Sequence, residues 1–157
     1  MPVVSLVLLS FVALLSSPLR GAECETPEAT LRAVTGTVAL GVAPSFRLTL
    51  LNACSHEIRV LSPERLLVEP FILTVSRAGK RVSFGSAIAD PPPVQPSQII
   101  ALQPGELRTF ELTRFKEDLT SFEVGTYQVQ LSFPPRPGPG FKTSVATFHV
   151  RRPRSGT

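Results

Sequence analysis

A regular alternation of apolar and polar side chains limits what this sequence can fold into. It is clearest in residues 125–133, where every second side chain is apolar: Tyr127, Val129, Leu131 and Phe133. Successive side chains of a β-strand point to opposite faces of the sheet, so this alternation predicts a strand with one buried face. Residues 46–50 repeat the pattern with Phe46, Leu48 and Leu50. We therefore expect sheets that each cover a core with one face.

Turn-forming residues separate these segments at intervals of roughly 8–12 residues, a spacing typical of β-sandwiches. We expect a hairpin across residues 77–80, a Pro104-Gly105 turn and a connection over residues 115–123. The predicted strands lie around residues 31–40, 46–52, 58–61, 71–75, 81–84, 99–102, 107–114, 126–133 and 141–150. About seven to nine short strands without a convincing helix predict an all-β fold, specifically an Ig-like antiparallel β-sandwich.

Tyr127 adds a more local expectation to this fold. It follows Gly125 by two residues at the start of a late strand. In Ig-like sandwiches a tyrosine in such a place forms the tyrosine corner, in which the phenol bonds back to the main chain across a loop. The alternative is an ordinary half-buried tyrosine.

The first 22 residues have the composition of a secretory signal peptide. An apolar run, Val3–Leu15, is followed by a small-residue exit at Gly21-Ala22, although no basic residue precedes the run. The run is shorter than the roughly 20 apolar residues that span a bilayer. Glu23 stands before Cys24 where a lipoprotein would need a small residue, so we expect no stable membrane anchor. We predict a secreted or periplasmic protein with a domain at residues 23–150 and a basic, disordered tail at residues 151–157.

Cys24 and Cys54 are the two cysteines of the chain, and both follow the predicted signal peptide. In an oxidising compartment such a pair is most simply one disulfide. His56 lies close enough in sequence to suggest a catalytic thiol pair, but no third residue is available to orient it. We therefore predict the disulfide.

Catalytic and metal-binding patterns fail in this sequence. His56-Glu57 begins like a zinc-protease motif, but Val60 stands where the second histidine should be, and the segment is predicted to be a strand. His149 lies on a different segment. The formal net charge is +4, with basic residues grouped in the tail and no interleaved aromatic residues, which disfavours nucleic-acid binding. We expect no enzyme activity, catalytic residue, metal or cofactor, and a protein as partner.

Three loops have the composition of binding segments. Residues 90–96 are rich in proline and favour a stiff, extended conformation, residues 134–140 form a Pro/Gly loop, and residues 79–81 form a hairpin tip with two cations. Each loop is equally well explained as an inert connection between strands. The candidate binding residues on them are Lys80, Arg81, Pro91, Pro92, Pro93 and Arg136.

Five segments in this order resemble the N-terminal pro-domain of secreted peptidyl-Lys metalloendopeptidases of the deuterolysin (aspzincin) class. They are Phe46–Asn52, Glu57–Leu61, Pro70–Lys80, Leu102–Glu106 and Gly125–Val129. The resemblance implies the pro-domain fold without the zinc-binding catalytic domain, and hence an inhibitor or folding partner of a secreted metalloprotease. It also implies that a loop lysine mimics the substrate; Lys80 is the first choice among Lys80, Lys116 and Lys142.

A second interpretation of different class stays open. The chain would then be a general extracytoplasmic Ig-like interaction or structural module of the cell envelope. The absence of Trp and the single Tyr disfavour a sugar-binding domain, since sugars are usually held on exposed aromatic faces.

Overall fold

The computed structural model describes residues 24–63, 71–82, 95–113, 119–135 and 138–153. These residues form eleven β-strands and a short 3₁₀ turn at Pro96–Gln98, which confirms the all-β prediction. The strands are β1 Glu28–Ala33, β2 Thr37–Ala39, β3 Phe46–Leu51, β4 Ile58–Leu61, β5 Ile72–Arg77, β6 Lys80–Val82, β7 Ile99–Leu102, β8 Leu107–Leu112, β9 Gly125–Phe133, β10 Phe141–Lys142 and β11 Ala146–Arg151.

The strands form three sheets. One sheet has the order β1-β3-β8, and a larger one has the order β2-β11-β9-β5-β6 with β10 paired to β9. A two-stranded ladder, β4-β7, forms the third. No helix among the described residues is long and apolar enough to cross a membrane.

One apolar core is shared by the two larger sheets. The inward side chains of β3, Phe46, Leu48 and Leu50, are all fully buried. The ring of Phe46 meets that of Phe148 from β11 edge-on, with centroids 5.8 Å apart, so the contact joins the two sheets. Aromatic pairs in this geometry add about 0.5–1.5 kcal/mol to the free energy gained by burial. The apolar side chains of the alternating pattern therefore face this core, and the polar ones face the surface.

Asn52, which is fully buried, holds the point where β3 ends. Its Nδ2 donates to the carbonyl oxygens of His56 (2.9 Å) and Leu102 (2.8 Å), and its Oδ1 accepts the amide N–H of Cys54 (2.9 Å). Its own main chain bonds to Glu106 and Gly105. The antiparallel pair β3–β8 is thus interrupted here and continues as β4–β7, with Asn52 supplying the hydrogen bonds that the ladder loses.

The predicted disulfide between Cys24 and Cys54 is present, with Cα atoms 5.4 Å apart. Cys54 is buried, whereas Cys24 is exposed. The bridge ties the segment before β1 to the loop that Asn52 organises after β3. It closes a chain separation of 30 residues.

Two predicted strands are each divided in the structure. The strand expected around residues 31–40 is β1 and β2, because the chain leaves β3 after Ala33 and crosses to pair with β11. The strand expected over residues 141–150 is β10 and β11. Between them the hydroxyl of Thr143 accepts the amide N–H of Leu131 (3.1 Å), which replaces a ladder bond and breaks the strand.

The antiparallel prediction also needs a correction, because β2 runs parallel to β11. The parallel pair follows from the crossing, which brings β2 alongside β11 in the same direction. Strand β11 extends through Arg151, whose carbonyl oxygen accepts the amide N–H of Leu40 (2.8 Å), so the last strand includes the first residue of the expected tail. The expected signal peptide at residues 1–22 lies outside the described residues.

Replacing Asn52 by alanine should destabilise the protein by about 3 kcal/mol or more, because two buried main-chain groups and one partly buried group lose their partner. Urea unfolding of the oxidised protein measures the effect. Thr49→Ala, on the outer face of β3, is the matched control and should cost at most about 1 kcal/mol, the share of its cross-strand contact with Thr109. A loss of less than about 1 kcal/mol for Asn52→Ala would contradict this role.

Removing the disulfide with the double substitution Cys24→Ser, Cys54→Ser should cost about 3 kcal/mol, since the unfolded chain regains the entropy of the opened loop. The fold should persist, because Asn52 holds the loop independently of the sulfur atoms. Chemical denaturation of the variant and of the reduced native chain measures the cost. Equal unfolding midpoints with and without the bridge would show that it contributes nothing to stability.

Candidate functional site

The β5–β6 hairpin carries two of the candidate binding residues, Lys80 and Arg81. Its strands pair as Val75 with Val82 and Arg77 with Lys80, leaving Ala78 and Gly79 as a two-residue turn. Both have positive φ, 49° for Ala78 and 76° for Gly79. This is the pattern of a type I′ turn, whose twist matches that of the two strands. The hairpin predicted over residues 77–80 is therefore present and tight.

Lys80 and Arg81 are both exposed at this turn. Because they are neighbours on one strand, their side chains leave the sheet on opposite faces, and Arg81 shares the outer face with Ser76. No carboxylate among the described residues forms an ion pair with either cation. Within the described part of the chain, both charges are thus available to a partner.

Arg77 fixes the base of the hairpin. Its Nη1 bonds the carboxylate of Glu123 (2.6 Å) and its Nη2 donates to the carbonyl oxygen of Val124 (2.7 Å). Its guanidinium also lies over the ring of Tyr127, 5.7 Å from the centroid. The Glu123 carboxylate raises the pKa of Arg77 above its usual value. These contacts join the hairpin to the connection that enters β9.

Tyr127 is buried beneath that arginine. Its phenol donates to the carbonyl oxygen of Glu123, four residues earlier (3.0 Å), which is the kind of bond that a tyrosine corner makes. Gly125 leaves the room for this arrangement, because a Cβ atom there would lie 2.7 Å from Nε of Arg77. A larger residue at this position would therefore force the arginine side chain to shift.

An open depression of about 390 Å³ lies beside the hairpin. It is lined by Ser76, Arg77, Ala78, Gly79, Thr126 and Gln128. None of these side chains is acidic, and the one charged group, Arg77, is engaged with Glu123. The depression can accept hydrogen-bonding groups from another molecule, but it lacks an arrangement of acid, base and nucleophile.

The outer face of the larger sheet continues from this depression and is lined mainly by neutral polar side chains. Its neutral polar residues are Thr37, Thr74, Ser76, Thr126, Gln128, Gln130, Ser132 and Thr147, as the strand registers place them. His149 joins this face, with its Nδ1 2.9 Å from the hydroxyl oxygen of Thr126. By the strand registers, Arg81, Lys142 and Arg151 also lie on this face, at its margins. The larger sheet thus presents hydroxyl and amide groups to its surroundings.

The titratable groups described have ordinary structural surroundings. The side chain of Gln103 donates to Glu57 (2.8 Å) and lowers the pKa of that carboxyl, with Arg59 adding to the effect. The main-chain N–H of Gln103 donates to Glu106 (2.7 Å) and lowers its pKa, with help from Arg108. Neither shift favours a proton donor at neutral pH. Among the described residues no three His, Cys, Asp or Glu side chains cluster as metal ligands.

The remaining candidate residues do not join this site. Pro91, Pro92, Pro93 and Arg136 lie outside the described residues, as does Lys116. Lys142 is exposed on β10, which pairs with the far end of β9. Sequence reasoning missed Arg77, because it read this residue as part of the turn. Its spacing from Lys80 gave no sign that it would point back toward Tyr127.

Comparison with known proteins identifies no family. No protein-family model matches the chain, and no curated protein matches it. Among solved structures, the alkylpurine DNA glycosylase AlkC of Pseudomonas fluorescens, bound to DNA containing an abasic site analog, is 11% identical with a TM-score of 0.44. It is matched over 79% of this chain and 30% of its own. A β-glucosidase of Listeria innocua in complex with gluconolactone is 16% identical with a TM-score of 0.34, over 80% of this chain and 17% of its own. The chain thus spans less than a third of either enzyme.

Gln103→Ala should raise the pKa of Glu57 toward its ordinary value and leave that of Glu106 low, because the first carboxylate loses a side-chain donor and the second keeps a main-chain donor. Carbon-13 NMR titration of both carboxyls measures the two values in one sample. A pKa lowered by folding stabilises the protein above the unfolded-state pKa, and this contribution is lost as the pH falls through the folded-state pKa. Parallel shifts of Glu57 and Glu106 would contradict the assignment.

Proposed function

We propose that this protein is an exported, non-catalytic binding domain with an Ig-like β-sandwich fold. Its partner in this proposal is a secreted metalloprotease, which it inhibits or helps to fold through the β5–β6 hairpin. The observation that carries the proposal is Lys80, which is exposed beside a two-residue turn and forms no ion pair with the described residues.

The strand order supports the Ig-like part of the proposal. Immunoglobulin-type sandwiches place strands A, B and E in one sheet and C, F and G in the other, often with an added C′ strand. The order β1-β3-β8 corresponds to A-B-E, and β5, β9, β11 and β6 correspond to C, F, G and C′. The phenol bond of Tyr127 agrees with this arrangement. The disulfide departs from it, since Cys24 and Cys54 do not join the B and F strands.

Export is supported by the disulfide and by the composition of the first 22 residues. A bridge of this kind persists in oxidising compartments and is rare in the cytosol. The buried half of the bridge, Cys54, packs beside Asn52 and is part of the fold. We therefore place the mature domain in the periplasm or outside the cell.

The hairpin supports the binding part of the proposal by being ordered before it meets a partner. Arg77 connects it to Glu123 and Val124, and β5 is paired with the central strand β9. A segment that is already rigid loses little conformational entropy on binding. A protease that cleaves beside lysine needs an acceptor for the substrate's ammonium group, and Lys80 offers such an ammonium group on a paired strand.

A second candidate function rests on the outer face of the larger sheet. Its hydroxyl and amide side chains form a broad polar surface with cations at its margins. Such a surface suits contact with another domain of the cell envelope, which would make the chain a general extracytoplasmic interaction or structural module. Recovering the partners of the purified domain from culture supernatant separates the two functions. A protease supports the first, and envelope proteins alone support the second.

Lys80→Ala should weaken inhibition of a co-secreted Lys-specific metalloprotease by about tenfold or more, since a central anchor residue carries an outsized share of binding energy. The inhibition constant measures the effect. Lys142→Ala, an exposed lysine on β10, is the matched control and should leave the constant unchanged.

Arg81→Ala distinguishes specific recognition of Lys80 from general attraction to positive charge. Arg81 lies beside Lys80 but on the opposite face of β6, so its loss should weaken inhibition much less. Equal losses for both variants would indicate simple charge attraction. Unchanged inhibition by Lys80→Ala, with the thermal midpoint preserved, would remove the lysine from the mechanism.

A further inference from the structure

The ion pairs of the described residues leave an uneven distribution of charge. Four pairs form: Arg47 with Glu111, Arg59 with Glu57, Arg77 with Glu123 and Arg108 with Glu106. The described acidic residues outside these pairs are Glu25 and Glu28, at the start of β1. The described cations outside them are more numerous: Arg32, Lys80, Arg81, Lys142, Arg151 and Arg152. In the described part of the chain, six cations and two carboxylates thus lie outside the ion pairs.

Arg151 and Arg152 lie at the same end of the larger sheet as three exposed aliphatic side chains. Leu40, Val42 and Val124 are 43%, 53% and 41% exposed. The amide N–H of Leu40 donates to the carbonyl oxygen of Arg151 (2.8 Å), and that of Val42 donates back to Ala39 (3.0 Å) in a tight turn. We name Leu40, Val42, Val124, Arg151 and Arg152 the rim.

Val124 belongs to the rim because it precedes Gly125, which pairs with Val150 of β11. The rim therefore gathers the ends of three neighbouring strands, β2, β11 and β9. It combines three half-exposed aliphatic side chains with two exposed arginines. Within the described part of the chain, no carboxylate forms an ion pair with either arginine.

This composition fits a lipid surface better than a protein surface. The centres of protein interfaces are enriched in aromatic residues and are packed into complementary pockets. The rim instead offers leucine and valine on a turn and on strand ends, flanked by arginines. Interfacial segments that contact membranes combine apolar side chains, which enter the boundary between head groups and acyl chains, with cations that meet lipid phosphates.

We propose that the rim binds the surface of an anionic membrane. Arg151 and Arg152 contact lipid phosphate groups, and the side chains of Leu40, Val42 and Val124 enter the head-group region. The contact is peripheral and reversible, because three short side chains bury little apolar area. It is independent of the proposed protease binding, which uses the β5–β6 hairpin rather than the rim.

Co-sedimentation with vesicles of phosphatidylcholine and phosphatidylglycerol tests this inference on the exported, oxidised chain, whose mature N-terminus is fixed by mass spectrometry. Arg152→Gln should weaken binding about fivefold, the share of one cation near an anionic surface. Lys142→Gln removes the same charge at the other end of the sheet and should leave binding unchanged. Vesicles of phosphatidylcholine alone should not be bound.

A second matched pair tests the apolar contribution. Val42→Ser should weaken binding about threefold, because its side chain no longer gains from leaving water. Val145→Ser is the control, since Val145 is 52% exposed, against 53% for Val42, and lies before β11 at the opposite end. The thermal midpoint of each variant establishes that the fold is kept.

Three outcomes would overturn the inference. They are no binding to anionic vesicles, equal weakening by Lys142→Gln and Arg152→Gln, and equal binding by Val42→Ser and the native chain. Binding to polyglutamate but not to vesicles would also overturn it and would assign the arginines to an acidic protein instead. Lys80→Ala distinguishes the two proposals, because it should weaken protease inhibition by about tenfold or more and leave vesicle binding unchanged.

Discussion

The hydrogen bonds of Asn52 are the constraint on which the rest of the fold depends. A buried amide carries two donor hydrogens and an acceptor oxygen, and all of these are used: by His56, Leu102 and Cys54. Without them, the break between the β3–β8 and β4–β7 ladders would leave main-chain groups unpaired inside the protein. The same amide sets the position of Cys54 and thus lets the disulfide reach back to Cys24. One polar side chain therefore organises the turn, the bridge and the start of the chain.

At the opposite end of the core, contacts of a different kind hold the β5–β6 hairpin against β9. Tyr127 bonds to the main chain at Glu123, and Arg77 covers its ring while pairing with the Glu123 carboxylate. An exposed ion pair contributes little by itself, about 0–1 kcal/mol. Here it is combined with a carbonyl bond and a ring contact, so the arginine links the hairpin to β9. The stability and the placement of the candidate binding residues thus share one set of contacts.

Most strands could be predicted from the sequence because their residues alternate between core and surface. Strands β3, β4 and β9 begin and end close to the predicted bounds, and the β5–β6 turn follows from Gly79. The interruptions that divide two of the predicted strands could not be predicted, since they depend on partners elsewhere in the fold. The crossing between β1 and β2 is decided by pairing with β11, and the break after β10 is decided by the hydroxyl of Thr143.

The site was partly predictable for the same reason. Lys80 and Arg81 follow a recognisable turn, whereas the role of Arg77 requires knowing that Tyr127 lies opposite it across the sheet. Asn52 looked like the end of a strand, and nothing in its sequence neighbourhood indicated that Leu102 would accept one of its hydrogen bonds. Side chains that act on distant segments leave no local pattern. Sequence periodicity identifies which face of a strand is buried, but not which distant residues its side chains contact.

The short β6 strand has a consequence for how identical molecules meet. It forms one edge of the larger sheet in the described part of the chain, and β2 forms the other edge, beside β11. An exposed edge is a template for pairing with another chain, and natural proteins discourage this with short, charged edge strands. Strand β6 has three residues, and two of them are Lys80 and Arg81. The cations that could attract a partner also repel a second copy of the same edge, so two molecules are discouraged from pairing through β6.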